Sequence, residues 1–374
     1  MVSLIHIKKE GGRMKTLALV LTTILCFSAA TSQMKKETKK AAAEPVPMQK
    51  SFEGRIWALT FVDFSYVAQD AAMKGSNAFE FRRVYLGYDQ DISDHFSGQV
   101  LLEADKFDTT AGGYMGFFVK HAYLEWKDLV PSSSIFFGLS QTPSVALAEK
   151  YWGYRSLEKV ILDRTGLIAT SDMGVGIRGR IVSDGSVGYA LMIGNGNGAR
   201  LENNKLKRFY GEFNFEPMRG GAIEVYADYE NYDNHSQAQP RLTAKGLFGY
   251  LSQGYSFGLE GFYRNVQHGW INTSGLLADS NYVGGSVYGS FHIAENLRGV
   301  LRGDITDINL ADKDVGIRQV YGIVGLDYTA AKDVDIIPNV LYSHALNKKS
   351  GGASLVDNIT VRLTASYAFS ARVP

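Results

Sequence analysis

From Asn358 to Ser370, apolar and polar residues alternate almost without interruption. Ile359, Val361, Leu363, Ala365, Tyr367 and Phe369 fall on one side, and Thr360, Arg362, Thr364, Ser366, Ala368 and Ser370 on the other. A period of two predicts a β-strand with one apolar and one polar face. An apolar face that ends in Tyr and Phe, opposite an Arg, suits a strand with lipid on one side and water on the other.

The same rhythm recurs upstream. Sixteen segments carry it, beginning near Phe52, Phe79, Phe96, Phe117, Ile135, Met173, Val187, Lys207, Ala222, Leu242, Tyr255, Tyr282, Leu297, Ile317, Val334 and Leu355. Connections after even-numbered segments are short, such as Asp91 to Asp94, Asp184-Gly185, Gln253-Gly254 and Glu295-Asn296. Those after odd-numbered segments are longer and more polar, as in Asn195 to Leu206, Asn231 to Pro240, Asn265 to Asn281 and His344 to Ser354. Short turns on one side and long loops on the other predict an all-β fold, a transmembrane antiparallel β-barrel of sixteen strands with both termini on the short-turn side. No apolar run beyond the N-terminal leader approaches the roughly 18 residues of a membrane-spanning helix, so a spanning chain must close its sheet.

The third long connection, Gln141 to Ser171, stands apart at about thirty residues, a length that usually signals function. Within it Leu147, Tyr151, Tyr154, Leu157 and Ile161 recur at three- and four-residue spacing, predicting a helix over Ala146 to Leu162. The expectation is a long third loop folded into the lumen and narrowing it.

Residues 1–30 read as a signal peptide that starts effectively at Met14. Lys15 is its positive n-region, Leu17 to Phe27 its apolar stretch, and Ser28, Ala29 and Ala30 a cleavage site. The Lys/Ala/Pro-rich stretch 31–50 reads as a flexible periplasmic tail, and 51–374 as the barrel. The one cysteine, Cys26, lies in the leader, and Leu25 before it argues against lipidation. The mature chain therefore offers no disulfide and no thiol chemistry. Lys+Arg 39 against Asp+Glu 38 disfavours nucleic acid as a partner. Removing 1–30 takes away four basic residues and one acid, moving the formal charge from +1 to −2. Abundant Gly (40), Tyr (21) and Phe (20) with only 8 Pro suit strands, turns and interfacial aromatic belts.

At Phe81-Arg82-Arg83-Val84-Tyr85-Leu86-Gly87, Lys120-His121-Ala122-Tyr123-Leu124 and Phe137-Gly138-Leu139-Ser140-Gln141-Thr142-Pro143 the chain resembles the phosphate-selective porin O and P family, and more loosely the sixteen-stranded general porins. Leu162-Asp163-Arg164 and Ser171-Asp172-Met173-Gly174-Val175 continue the resemblance, which covers mainly residues 79–180. It implies a homotrimeric, water-filled outer-membrane channel of a Gram-negative bacterium, surrounded by lipid and lipopolysaccharide, with its third loop inside. Two features depart from the family. The chain continues past Phe369 to Pro374, and no dense run of lumen arginines or loop lysines is visible.

Several motifs were weighed for chemistry. Gly174-Val175-Gly176-Ile177-Arg178-Gly179 matches a dinucleotide fingerprint in letters, but alternates like a strand and has no helix opening after it. Gly194 to Gly198 lacks the Gly-Lys-Ser/Thr of a phosphate loop and reads as a loop tip. The seven histidines show no metal-ligand spacing. No arrangement favours a Ser/His/Asp hydrolase, so no enzyme, cofactor or metal is expected. The charged residues on polar strand faces are the candidates: Arg55, Arg82 (or Arg83), Lys120, Arg178, Arg180, Arg298, Arg302 and Arg362 for the lumen wall. Glu149, Lys150, Arg155, Glu158, Lys159, Asp163 and Arg164 are candidates for a constriction on the third loop. Opposite charges in that loop suggest pairing along its helix, and Tyr151, Trp152 and Tyr154 suit anchoring. Strand two has no clear phase: Phe79 and Phe81 point one way, Val84 and Leu86 the other.

The reading is a porin for passive diffusion of small hydrophilic solutes and ions, with a mild anion preference by family analogy. The alternatives are a phosphate- or anion-specific channel, a structural or adhesive barrel plugged by its third loop, and, last, an outer-membrane hydrolase.

Overall fold

The computed structural model describes residues 53–109, 113–234, 237–271, 274–310, 317–347 and 353–373. The chain divides into one unit over Met1–Ser51 and another over Phe52–Pro374. The expected leader and tail lie outside the described residues.

The second unit begins with β1 (Gly54–Gln69), β2 (Asn77–Asp91), β3 (Phe96–Thr109), β4 (Met115–Val130) and β5 (Ser133–Gln141). Two short helices follow, α1 (Ala146–Trp152) and α2 (Ile161–Arg164). Then come β6 (Ser171–Arg180), β7 (Val187–Gly194), β8 (Arg208–Phe215), β9 (Gly221–Asn234), β10 (Gln237–Leu251) and β11 (Tyr255–Ile271). The last five strands are β12 (Leu277–Ala294), β13 (Leu297–Ile308), β14 (Ile317–Ala331), β15 (Val334–Asn347) and β16 (Ala353–Val373).

Each strand pairs antiparallel with its neighbours in sequence, and β1 pairs with both β2 and β16, from Gly54↔Val373 to Gln69↔Ile359. The barrel is closed, so no row of unpaired N–H and C=O groups meets hydrocarbon. The fold is the sixteen-stranded transmembrane barrel that the alternation predicted. β16 continues beyond Phe369, and its last residues pair with the first of β1.

The two faces are inverted relative to a soluble protein. Val225, Leu259, Leu301 and Val324 are exposed outward, while Asp63, Glu224, Arg302 and Arg362 are buried on the inner side. Outward aromatics form two bands. Phe79, Phe117, Phe209 and Tyr263 lie toward the long-loop end, and Phe215, Phe257, Phe291 and Phe369 toward the short-turn end. Aromatic girdles of this kind flank the apolar band of membrane-spanning barrels.

A β-bulge resolves the phase of strand two. Phe61 pairs with Arg83 and Val62 with Phe81, which leaves Arg82 as the extra residue. Slipping one residue reverses which face each side chain occupies. Phe79, Phe81 and Leu86 therefore all point outward, and Arg82 and Arg83 both point inward. A second bulge does the same for Lys120, since Leu101 pairs with His121 and Leu102 with Val119.

Three segments expected as long loops are largely strand. β9 and β10 pair out to Asn234↔Gln237, β11 and β12 reach Ile271↔Leu277, and β15 and β16 reach Asn347↔Ala353. Their polar composition suggested loops, but ladder pairing satisfies backbone groups regardless of which side chains project into water. The glycine-rich Gly174 to Gly179 lies wholly within β6, as its alternation predicted.

An arginine at the lipid-facing position of Val324, in the middle of β14, should destabilise the barrel by roughly 2–4 kcal/mol. Urea unfolding of protein refolded into lipid vesicles measures this; a shift below about 0.5 kcal/mol would contradict the outward assignment.

Candidate functional site

Residues 142–170 connect β5 to β6 and carry α1 and α2. A single helix over Ala146 to Leu162 was expected, but Gly153 breaks it. Its φ of 69° is left-handed, a conformation that favours glycine and terminates α1. Helix resumes only at Ile161. The apolar residues at helical spacing are still buried together: Tyr151, Tyr154, Leu157 and Ile161 form one core with Leu247, Phe262, Tyr288, Tyr321 and Ile337 of the wall. The Trp152 indole donates to the Glu158 carbonyl at 2.7 Å, tying the bend shut. Gly249 makes room for the Tyr151 ring, which would lie 2.4 Å from an added Cβ.

Leaving the helix between 153 and 160 exposes backbone carbonyls that need donors. Cations on the wall supply donors there and also reach carbonyls on either side of the bend. Lys245 donates to Ser144 O at 2.6 Å, Arg362 to Leu157 O at 2.7 Å and Arg302 to Lys159 O at 2.5 Å. Arg82 also donates to Leu157 O, and Arg264 to Leu167 O. These donors come from β2, β10, β11, β13 and β16, at positions around the ring, so the segment runs across the interior. Charged donors make the stronger class of hydrogen bond.

Side chains complete the anchoring. Arg164 reaches Asp304 at 3.0 Å and lies 4.4 Å from the Tyr321 ring. Arg302 pairs with the same Asp304 at 2.8 Å, with both side chains 0% exposed. The Tyr321 hydroxyl donates to Glu158 at 3.1 Å, and the Tyr154 hydroxyl to Asp327 at 2.9 Å. Burial, reinforced by Asp327, holds the Tyr154 hydroxyl protonated well above the usual tyrosine range. Arg164, Arg302 and Arg362, read from sequence as part of the pore's charge, thus each help to hold the segment, and Arg362 also lines the central chamber.

Arg155 occupies the centre. Its Nη1 contacts Glu149 at 2.5 Å and Asp163 at 3.0 Å, and its Nε donates to the Tyr85 hydroxyl of β2 at 3.0 Å. Burial opposes its charge, but Tyr85, Glu149 and Asp163 overcome that and hold the guanidinium protonated well above its ordinary range. The loop charges do pair internally, with Lys159 3.7 Å from Asp163. They pair across the bend, however, and not along one helix. Lys150 is exposed, 5.4 Å from the Tyr151 ring.

Space remains on both sides of this centre. A cavity of about 800 Å³ faces the long-loop end, between the segment and inner-wall residues that include Arg83, Lys120, Arg208 and Arg264. One of about 430 Å³ faces the short-turn end, lined by Leu59, Phe61, Lys150, Arg298 and Asp327 among others. Between them a chamber of about 150 Å³ is lined by Phe61, Arg82, Arg83, Asp105, Arg155, Glu158, Lys159 and Arg362. Arg155 borders all three.

Three cations here stand in front of their partner carboxylates, whereas Arg155 is 17% exposed against 21% for Glu149. Arg82 is 12% exposed against 2% for Asp63, Lys120 12% against 3% for Glu103, and Lys159 30% against 10% for Asp163. The remaining wall candidates lie away from the centre. Arg55 pairs with Asp89 at 2.7 Å and Arg180 with Glu216 at 3.4 Å, both near the short-turn rim. Arg178 pairs with Glu125 at 2.9 Å and borders a side cavity of about 400 Å³. Arg298 borders the short-turn cavity. Lys245 and Arg264 were missed because their strands carry apolar residues on both faces (Leu247 and Phe262 inward), which blurs the alternation. His121 Nδ1 donates to the Gln99 amide oxygen at 2.9 Å, and no group of potential metal ligands occurs among the described residues.

The fold and its inserted segment define a barrel of porin architecture. Solved structures agree on the fold. The outer-membrane channel DcaP of Acinetobacter baumannii superposes with a TM-score of 0.64 at 13% identity, covering 87% of this chain and 99% of that one. The anion-selective porin from Comamonas acidovorans gives 0.62 at 12%, covering 85% and 100%. OmpT of Vibrio cholerae gives 0.60 at 10%, covering 87% and 100%. No family model and no curated protein matches the chain.

Lys245→Ala would leave both the Glu224 carboxylate, 2.8 Å away, and the Ser144 carbonyl without their donor. The expected cost is about 3–5 kcal/mol, much of it recovered by adding Glu224→Gln. Urea unfolding, with limited proteolysis between 141 and 171 as a local readout, tests both expectations.

Proposed function

We propose that this chain is an outer-membrane porin: a water-filled channel for passive diffusion of small hydrophilic solutes and ions, with a mild preference for anions. The observation that carries the reading is the row of three chambers inside a closed barrel, all bordered by Arg155. Outward apolar side chains place the barrel in lipid, and the expected leader supports export to the outer membrane. The short turns then lie in the periplasm and the longer connections outside the cell.

The constriction is assigned to Arg155, Lys159, Glu158 and Asp163 of the inserted segment, facing Arg82, Arg83 and Lys120 of the wall. Fixed charges in a narrow, poorly screened space sort ions by their field. Each cation is paired with an acid, so the net charge is small. Arg82, Lys120 and Lys159 stand forward of their acids, which supports weak anion preference and not exclusion of cations. A homotrimer is supported by analogy with OmpT, one structure of which is described as a trimer form.

Two narrower readings have their own support. The basic lining of the larger chamber, with Arg83, Lys120, Arg208 and Arg264, suits a phosphate- or anion-specific channel. The apolar core joining the segment to the wall suits a barrel plugged by its own loop.

Planar-bilayer recording separates the three. A porin gives stable ohmic steps, grouped in threes for a trimer, and a reversal potential shifted weakly toward anions in a salt gradient. Block of chloride current by phosphate but not by sulfate would favour the specific channel, and absence of conductance the plug. Replacing Arg155 and Lys159 by Ala should lower the anion-to-cation permeability ratio by about five-fold, since one unit charge at 4 Å is worth about 1 kcal/mol even in bulk water. An unchanged reversal potential would remove the segment from the selectivity mechanism.

A further inference from the structure

A charged side chain taken partly out of water is ordinarily paired. Of the eight cations read as lumen wall, seven have a carboxylate within 3.7 Å. Arg298 is the eighth. Among the described residues no carboxylate or carbonyl takes its donors, and its Nε is buried without an acceptor. Its neighbours explain why. Asp327 faces it in register across β13 and β14, but that carboxylate accepts from the Tyr154 hydroxyl of the inserted segment at 2.9 Å. Asp335 on β15 accepts from the Thr329 hydroxyl at 3.0 Å. On the other flank Arg298 meets His292 of β12 in register, not an acid. Anchoring the segment thus draws the cross-strand acid away from the arginine.

Arg298 is half-buried and borders two spaces on the short-turn side of the barrel. One is the cavity of about 430 Å³ below Arg155, which Lys150 also lines. The other, of about 570 Å³, lies at the turn between β12 and β13 and is lined by His292, Glu295, Asn296 and Thr329. Thr329 belongs to both linings. A guanidinium fork that no protein carboxylate fills offers its donors to an anion from solution. Asp327, Asp335 and Glu295 share these linings, so the net charge is small and a dianion gains little over a monoanion.

We propose that Arg298 is a second binding step for small monovalent anions, on the short-turn side of the constriction, where an anion that has passed Arg155 is held before it leaves. This deepens the channel reading and rests on it. Conduction through successive sites requires that each hold the ion weakly enough to release it. A lone guanidinium among three acids meets that requirement better than a dense basic cluster does.

The chain's one cysteine, Cys26, lies in the expected leader, so Thr329→Cys in the refolded mature chain gives a single reporter thiol beside Arg298. Its rate of reaction with anionic sulfonatoethyl methanethiosulfonate is compared with that of the cationic trimethylammonioethyl reagent. Adding Arg298→Gln should lower the anionic-to-cationic ratio about five-fold, the weight of one unit charge close by in water. Arg298→Lys should keep most of the ratio. Acetate should slow the anionic reagent, and about five-fold more of it should be needed once Arg298→Gln is added. Asn296→Cys serves as the reporter if Thr329→Cys does not refold. A ratio unchanged by Arg298→Gln, or a rate indifferent to acetate, would overturn the proposal while normal bilayer conductance leaves the channel reading intact. Absence of any conductance would instead remove the channel reading, and with it the place of this site on a passage.

Discussion

Hydrocarbon cannot accept or donate a hydrogen bond, and the molecule is organised around that constraint. Sixteen strands satisfy one another's backbone groups, and β1 meets β16 so that no edge is left over. Side chains then sort by which medium they meet. Val225, Leu259 and Val324 point out, and Asp63, Glu224 and Arg302 point in. The interior is therefore crowded with charge that must find partners in a confined space.

Those partners are of two kinds. Carboxylates on neighbouring strands take some cations, as Asp63 takes Arg82 and Asp304 takes Arg302. Carbonyls of the inserted segment take others, including Arg362, Lys245 and Arg264. Gly153 matters to one of these acceptors: a helix continued over 146–162 would use the Leu157 carbonyl internally, and Arg82 and Arg362 would lose it. The Ser144 and Leu167 carbonyls lie outside that span. The bend thus adds to the barrel's grip on the segment.

The same grip shapes the passage. Arg164 and Arg302 are committed to anchoring, while Arg82 and Arg362 both hold the Leu157 carbonyl and line the central chamber beside Arg83, Arg155 and Lys159, and Lys120 lines the long-loop cavity. Two of these, Arg82 and Lys120, enter the interior on β-bulges. The bulges are small irregularities in pairing, yet each adds one more basic side chain inside than a regular strand would. On the other side of the path, Phe61, Tyr85 and Leu101 pack together as a small buried cluster on the inner wall.

Strand number, antiparallel order, the inverted faces and the length of the third connection were legible in the residues, because a period of two reports directly which medium each side chain meets. Most strand starts fell within a few residues of where the alternation placed them. The errors occurred where that signal fails. Polar strand ends near Asn234 and Ile271 read as loops, since beyond the membrane both faces meet water and the alternation disappears. The phase of β2 was unreadable because an extra residue, Arg82, reverses it in mid-strand. Which arginines anchor and which face the passage was decided only by the tertiary structure. Their local patterns do not tell them apart by role, and the distinction lies in which carbonyl or carboxylate, up to about three hundred residues away in the chain, comes near.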